Sequence, residues 1–350
     1  MTSRERFLAA MRFDRVDRVP VAPFGLGRLN PDSPAASEII EKTDPFIECT
    51  VAGDYFFGVG CETETRREGN TVTIIRRTPL GDLTQVNRST GITSACVEHP
   101  LKTPEDAEKF LSIDYTAPEV DASEFHACRQ RIGEQGLVCC CVCDGVTLPA
   151  QLLSPDDFCL WWADYPDLLL ELTAVGSSRA NEWVRRLCGE GVDAIRVVGG
   201  EYASVQLGPD AFDTLVVEQD RELVDIVHSH GGVVLYHNHG PVMRYMTRFA
   251  KIGMDALDPL EAPPWGDADL RAAREECGDS VTFVGNLDDM EILEKLPASD
   301  VRRMAAERLE AAGSRGFILG GTTSGTYAEK AARNFIEMVA VAEMFASRAS

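Results

Sequence analysis

Two histidines, His237 and His239, lie two residues apart at the end of the apolar run 232–236. The run is short and rich in β-branched residues, and Gly240-Pro241 follows it, a pattern typical of a buried β-strand. Residues two apart on a strand face the same side, so both imidazoles should point the same way. Neutral imidazole is a good ligand for zinc and related ions. The alternatives are a hydrogen-bonded polar pair and a pair that grips a substrate without metal.

Acidic side chains follow the neighbouring apolar runs at equivalent places. Glu201 comes after the run that ends at Val198, and Glu261 comes after the run at 257–260. Adjacent strands lie about 5 Å apart, so these carboxylates and the two histidines can converge on one divalent ion. We therefore predict a metal site, most simply for zinc, built from His237, His239, Glu201 and Glu261. Glu201 as a helix cap and Glu261 as a salt-bridge partner are the competing interpretations.

Further candidates follow other strands. Asp144 ends a cysteine-rich run, and either it or Glu261 is a candidate acid or base beside the metal. The predicted substrate-binding residues are Arg28, Tyr202, Trp265, Asn286 and Tyr327. Arg28 follows the first strand and is a candidate to hold a substrate carboxylate, with plain surface placement as the alternative. The aromatic residues are candidates for a planar pocket, with ordinary packing as the alternative.

A repeated pattern predicts the elements that position these residues. From the middle of the chain onward, helical stretches end at a glycine that precedes a short apolar run, six times in all: at Gly136, Gly191, Gly232, Gly253, Gly278 and Gly316. The runs at 18–24 and 54–57 are candidates for two earlier strands. Eight such units predict a (β/α)8 barrel, whose active sites form at the carboxyl ends of the strands. A doubly wound sheet is the second choice.

Residues 62–100 interrupt this rhythm. The segments 71–76 and 83–86 flank Pro79-Leu-Gly-Asp82, which predicts an inserted β-hairpin too polar for a barrel core. We therefore predict one barrel domain over 1–350 with an insertion at 62–100. Helix signals at Thr103-Pro104 and Ser154-Pro155 predict helices over 105–110 and 155–162, and a third helix is expected over 299–312.

Composition restricts the class of partner. Lys and Arg number 34 and Asp and Glu number 56, so the net charge of −22 disfavours nucleic acid and anionic membranes. No run of about 20 apolar residues predicts a membrane span, and residues 1–6 have no signal-peptide core, so we expect a cytoplasmic protein. The eleven cysteines should be reduced thiols, and the cluster at 139–143 should pack as small hydrophobic residues.

Several segments together resemble the uroporphyrinogen decarboxylase superfamily. They are the opening stretch 2–11, Asp17-Arg-Val-Pro20, the strand end 236–240, Leu260-Glu-Ala-Pro-Pro264 and Gly285-Asn-Leu-Asp288. The resemblance runs over nearly the whole chain and implies a (β/α)8 barrel. The superfamily contains porphyrinogen decarboxylases and cobamide-dependent methyltransferases, so it implies one of these two kinds of enzyme.

The resemblance separates the two branches by residue. Decarboxylases carry an arginine-rich segment after the first strand and a histidine near the last strand end, whereas here 24–30 holds one arginine and 319–327 no histidine. Methyltransferases commonly bind zinc through His-x-Cys and a later cysteine. This chain keeps His237, has His239 in place of the cysteine, and has no cysteine after Cys277.

A site without thiolates suits oxygen coordination, so the resemblance favours demethylation of a small methoxylated donor with zinc as a Lewis acid. The chain lacks the Asp-x-His-x-x-Gly cobamide motif, which implies that the cobamide is carried by a separate corrinoid protein. The family often forms dimers, so a homodimer is an expectation. A decarboxylase of a porphyrinogen or smaller organic acid and a non-catalytic binding protein remain the alternatives.

Overall fold

The computed structural model describes residues 1–91 and 93–349. The strands, in chain order, are β1 (Val21–Ala22), β2 (Phe46–Cys49), β3 (Thr63–Glu68), β4 (Thr71–Thr78), β5 (Gly81–Ser89), β6 (Ser94–Glu98), β7 (Leu137–Cys143), β8 (Ala194–Val198), β9 (Val233–His237), β10 (Ala256–Asp258), β11 (Thr282–Asn286) and β12 (Phe317–Gly320).

Helices alternate with most of these strands. They are α1 (Ser3–Met11), α2 (Pro34–Lys42), α3 (Pro104–Leu111), α4 (Ser123–Ile132), α5 (Thr147–Leu152), α6 (Pro155–Asp164), α7 (Pro166–Gly189), α8 (Glu201–Gln206), α9 (Pro209–Phe212), α10 (Glu218–Ser229), α11 (Met246–Ile252), α12 (Leu270–Cys277), α13 (Ala298–Ala312) and α14 (Glu329–Ala349). The three predicted helices fall within α3, α6 and α13. Among the described residues, no helix has both the length and the apolar character that crossing a bilayer requires.

Eight parallel strands form the barrel, in the order β1-β12-β11-β10-β9-β8-β7-β2. A parallel bridge between Phe24 and Phe46 brings β1 and β2 together and closes the ring. The (β/α)8 prediction is confirmed. The prediction that 54–57 forms part of the second strand is wrong, because β2 supplies that strand. The strand β2 is hard to recognise in the sequence because Glu48 interrupts its apolar pattern.

The insertion is a four-stranded antiparallel sheet in the order β3-β4-β5-β6. The predicted hairpin is β4 and β5, joined by the turn after Thr78. The strands β3 and β6 flank it and were not predicted, because β3 (Thr-Glu-Thr-Arg-Arg-Glu) has no apolar alternation and is largely exposed.

The barrel interior is packed in layers, as strand alternation requires. Inward residues such as Cys139, Ala194 and Leu235 share one cluster with Phe7 and Met11 of α1, which lies against this interior. Cys139 and Cys140 are buried and all the described cysteines are free thiols, in agreement with the expected packing role. At the carboxyl ends, Cys143, Val198, His237 and Asp258 stand in register on four consecutive strands, so they form the uppermost layer.

Candidate metal centre

His237 ends β9 inside the barrel mouth and is oriented by Asp258, the last residue of β10. Its Nδ1 lies 3.1 Å from Asp258 Oδ2, and both side chains are buried. Burial alone would raise the pKa of Asp258, but Arg196 and His237 outweigh it and lower this pKa to about 2. A carboxylate on Nδ1 selects the tautomer with the proton on Nδ1, which leaves the Nε2 lone pair available as a ligand.

His239, which follows the end of β9, also has a carboxylate on Nδ1. Its Nδ1 lies 3.1 Å from Glu261 Oε1, and Glu261 Oε2 accepts a hydrogen bond of 2.9 Å from the Gly240 amide. Glu261 raises the pKa of His239 more than burial lowers it. The two imidazole rings are perpendicular with centroids 4.4 Å apart, so the structure brings the predicted pair together.

A buried arginine supports this layer from below. Arg196 projects into the barrel from β8, where its Nη1 donates to Glu48 Oε2 at 2.9 Å and its Nη2 to Asp258 Oδ2 at 3.4 Å. Despite burial, these two carboxylates raise the pKa of Arg196. Arg196 Nε and Asp258 Oδ1 are buried without a hydrogen-bond partner in the described structure. The network Glu48–Arg196–Asp258–His237 therefore fixes the ring of His237. It also leaves one hydrogen-bond donor and one acceptor unpaired at the barrel mouth.

The fit to zinc is partial. Both Nε2 atoms lack a hydrogen-bond partner among the described residues, and both Nδ1 atoms meet a carboxylate, as in metal-binding histidines generally. A catalytic zinc site uses three protein ligands. Glu201 instead accepts from the Gly199 amide at 3.3 Å, and in the part of the chain described no three His, Cys, Asp or Glu side chains are grouped to hold an ion. The arrangement thus offers two imidazole ligands and leaves the third to be supplied by a shift of Glu201 or Glu261.

Asp144 lies on the other side of the barrel wall. Tyr236 and His237 are consecutive on β9 and face opposite sides, and it is Tyr236 that meets Asp144. Its hydroxyl lies 3.1 Å from Asp144 Oδ2 and 2.7 Å from Asp220 Oδ2 of α10, and all three side chains are buried. Burial, followed by the charge of Asp220, raises the pKa of Asp144, and burial raises that of Asp220 to about 7. The structure therefore does not bring Asp144 to the histidine pair.

The predicted substrate-binding residues are scattered. Trp265 is 42% exposed in the loop that carries Glu261, and Tyr202 lines a cavity beside α5. Arg28 is exposed. Tyr327 is fully buried and donates to the Gly25 carbonyl at 2.7 Å, as the packing alternative anticipated. Asn286 accepts a hydrogen bond of 2.7 Å from Arg308 of α13.

Sequence reasoning missed three residues of the site: Glu48, Arg196 and Asp258. Arg196 had a usable signal, because it is the single charged residue in the otherwise apolar run 194–198. Asp258 meets the strand-end criterion that nominated Glu201 and Glu261. Glu48 had no clear signal, since the strand that carries it was not recognised.

Comparisons with known proteins agree with the fold. The sequence profile of the uroporphyrinogen decarboxylase (URO-D) family matches residues 84–343. A methyltransferase from Methanosarcina mazei is structurally similar, with a TM-score of 0.67 and 17% sequence identity over 99% of each chain. No curated protein matches the chain significantly.

Two methionine synthases give weaker structural matches. A B12-independent methionine synthase from a Shewanella species has a TM-score of 0.44 at 12% identity, over 80% of this chain and 77% of that one. A putative B12-independent methionine synthase from Listeria monocytogenes has a TM-score of 0.41 at 14% identity, over 64% and 71%. Scores this low add nothing to the argument, whereas the profile match spans most of the sequence. The chain belongs to the uroporphyrinogen decarboxylase family.

Proposed function

We propose that this protein is a zinc-dependent methyltransferase that moves a methyl group from a small methoxylated donor to a cobamide on a separate corrinoid protein. The observation that carries the proposal is the pair of imidazoles at the barrel mouth, each with Nδ1 on its own carboxylate. His237 and His239 would hold the ion through Nε2, with a third ligand from Glu201, or from Glu261 if it leaves Nδ1 of His239. Zinc, when bound, would supply Lewis acidity that makes the ether oxygen a better leaving group.

The charges at the mouth argue against a porphyrinogen as substrate. Such a molecule carries several carboxylates and needs several unpaired cations. Arg196 is already paired with Glu48 and Asp258, so the cluster carries no excess positive charge. The decarboxylase alternative is therefore better suited to a smaller acid than to a porphyrinogen.

Exposed apolar residues beside His239 support the docking of a partner. Val205 of α8 is 53% exposed and lies against Gly240, and Trp265 is 42% exposed beside Gly266, whose backbone lies against Glu261. Exposed apolar groups that flank a polar centre are typical of an interaction surface. A corrinoid protein seated there would cover the histidine pair.

The test is methyl transfer to free cob(I)alamin by the zinc-loaded protein, followed spectroscopically with a panel of methoxylated aromatic and aliphatic compounds. We expect turnover with at least one donor and a loss of at least about 100-fold in His237→Ala, since the variant lacks one of the two imidazole ligands. His228→Ala, which alters an exposed histidine paired with Asp255, is the matched control and should retain activity. Release of carbon dioxide without cobalamin would refute the proposal and favour the decarboxylase alternative.

A further inference from the structure

We propose that a cavity between the inserted sheet and the barrel binds a small, largely apolar molecule bearing one carboxylate, with Arg76 as the anion-binding residue. The cavity has a volume of about 350 Å³, within the range of small-molecule sites. Its apolar walls come from four parts of the chain: Phe56, Phe57, Ile74, Leu148, Leu152 and Tyr202. The chain thus builds this cavity by placing the insertion over α5 and α8.

Arg76 is a largely buried cation whose charge is incompletely matched. Its side chain is 12% exposed, and its guanidinium lies 3.7 Å from the centre of the Phe57 ring. Nη1 donates to Gln85 Oε1 at 3.3 Å, but Nη2 lies 3.8 Å from Asp54 Oδ2, beyond a good hydrogen bond. The Asp54 side chain is 55% exposed, so water screens this pair.

Two buried arginines, Arg6 and Arg196, show what full pairing with carboxylates looks like, whereas Arg179 is buried with only the Phe56 carbonyl as a hydrogen-bond partner among the described residues. Arg6 contacts Asp17 and Asp44 at 2.6 Å each, and Arg196 contacts two carboxylates within 3.4 Å. The pKa of Arg6 is raised by its partners despite burial, whereas burial lowers the pKa of Arg76. A ligand carboxylate would supply the missing charge, and a guanidinium is the group best suited to bind one in a fork.

The remaining lining defines the rest of the ligand. Aromatic and aliphatic side chains form most of the wall, while Gln85 and Gln151 add neutral polar groups. The matching chemistry is an aromatic or short aliphatic carboxylic acid. A polyanion does not match, because Asp54 also lines the cavity.

The cavity is connected to the histidine pair through the chain that follows β8. Tyr202 follows Glu201 at the end of β8, and Val198 of the same strand is in register with His237. Neighbouring strands are about 5 Å apart, so the part of the cavity wall that Tyr202 forms begins after the strand that lies next to the one carrying His237. With the carboxylate on Arg76, we place the other end of the molecule against Tyr202, and the identity of that end as the methoxy group rests on the proposed function.

The experiment measures binding by the metal-free full-length chain, with 4-methoxybenzoate and its neutral analogue 4-methoxybenzamide as probes in titration calorimetry. We expect the benzoate to bind at least tenfold more tightly than the amide, and Arg76→Gln to weaken benzoate binding at least tenfold. Arg77→Gln is the matched control, because Arg77 is the adjacent, exposed residue of β4 and is paired with Glu64 and Asp82. Equal binding of both probes, no binding of the benzoate, or unchanged binding by Arg76→Gln would overturn the proposal.

A second measurement uses the unaltered protein, in case Arg76→Gln does not fold. Cys96 lines the cavity, whereas the exposed Cys159 does not. We expect 4-methoxybenzoate to slow alkylation of Cys96 by iodoacetamide at least fivefold, and to leave Cys159 unchanged, as measured by peptide mass spectrometry. Unprotected Cys96 would refute the site. Arg76-dependent binding without methyl transfer would instead refute the proposed function alone.

Discussion

At the scale of single residues, the site is defined by which nitrogen of each histidine meets a carboxylate. The sequence predicts that His237 and His239 face the same way, and the rings lie 4.4 Å apart. It does not predict that Asp258 and Glu261 occupy the Nδ1 positions, because that depends on the register between β9 and β10 and on the path of the loop after β10. Glu261 therefore acts in this structure as an orienting group for His239.

The first residue-scale prediction concerns Asp258. Asp258→Asn should weaken zinc binding about 10- to 100-fold, because an amide holds the imidazole of His237 less firmly in the ligating tautomer. The measurement is a chelator competition titration on folded protein.

The control is Asp255→Asn, which alters a second carboxylate–histidine pair of similar length. Asp255 Oδ2 lies 2.9 Å from His228 Nε2, away from the mouth. The zinc affinity of the Asp255→Asn variant should equal that of the unaltered chain. Equal affinities in all three proteins would show that Asp258 does not orient a ligand.

At the scale of elements, two carboxyl groups share the hydroxyl of Tyr236 of β9: that of Asp144, which follows β7, and that of Asp220 of α10. A phenol has one proton to donate, so one carboxyl must keep its own proton for both contacts to be hydrogen bonds. The raised pKa values of Asp144 and Asp220 agree with this arrangement. The pair therefore costs stability when both groups are forced to ionise.

This arrangement predicts a pH dependence of stability. In the unfolded chain both groups titrate near pH 4, whereas in the folded chain Asp220 keeps its proton up to about pH 7. The folded state binds more protons over that interval, so the stability contribution present below pH 4 is lost as the pH rises towards 7. Asp220→Asn removes this loss, and its free energy of unfolding relative to the unaltered chain should rise by about 1 kcal/mol or more from pH 5 to pH 7.5.

Urea denaturation at several pH values measures this difference. The control is Glu218→Gln, at an exposed position on the same helix. The free energy of unfolding of this control, relative to the unaltered chain, should not change with pH. If the free energy of unfolding of Asp220→Asn, relative to the unaltered chain, also stayed constant with pH, the proposed proton sharing would be contradicted.

Apolar strands can be predicted from the sequence, whereas polar strands cannot. Strands such as β7 and β9 are continuous apolar runs after a glycine, so their positions are predictable. The strand β2 is not, because a parallel strand can carry Glu48 inward when Arg196 on another strand pairs with it. The outer strands of the insertion are also missed, since a polar sheet on the surface leaves no apolar alternation to read.

At the scale of the whole molecule, the barrel brings residues distant in sequence to one rim. Glu48, Arg196, His237 and Asp258 come from four strands that lie within the continuous run β2-β7-β8-β9-β10 of the barrel, so their contacts depend on how these strands pair. Single-strand patterns can nominate the histidines but cannot identify the partners across the barrel. The insertion also encloses a cavity over α5 and α8. No motif in the sequence predicts this cavity.

The proposed chemistry requires that the Nε2 atoms of His237 and His239 bind one zinc ion. Anomalous diffraction at the zinc edge from crystals of the zinc-loaded protein tests it most directly. We expect one peak about 2.0–2.1 Å from both Nε2 atoms, with Asp258 still on Nδ1 of His237. A peak at the cysteines alone, or no peak at the barrel mouth, would contradict it.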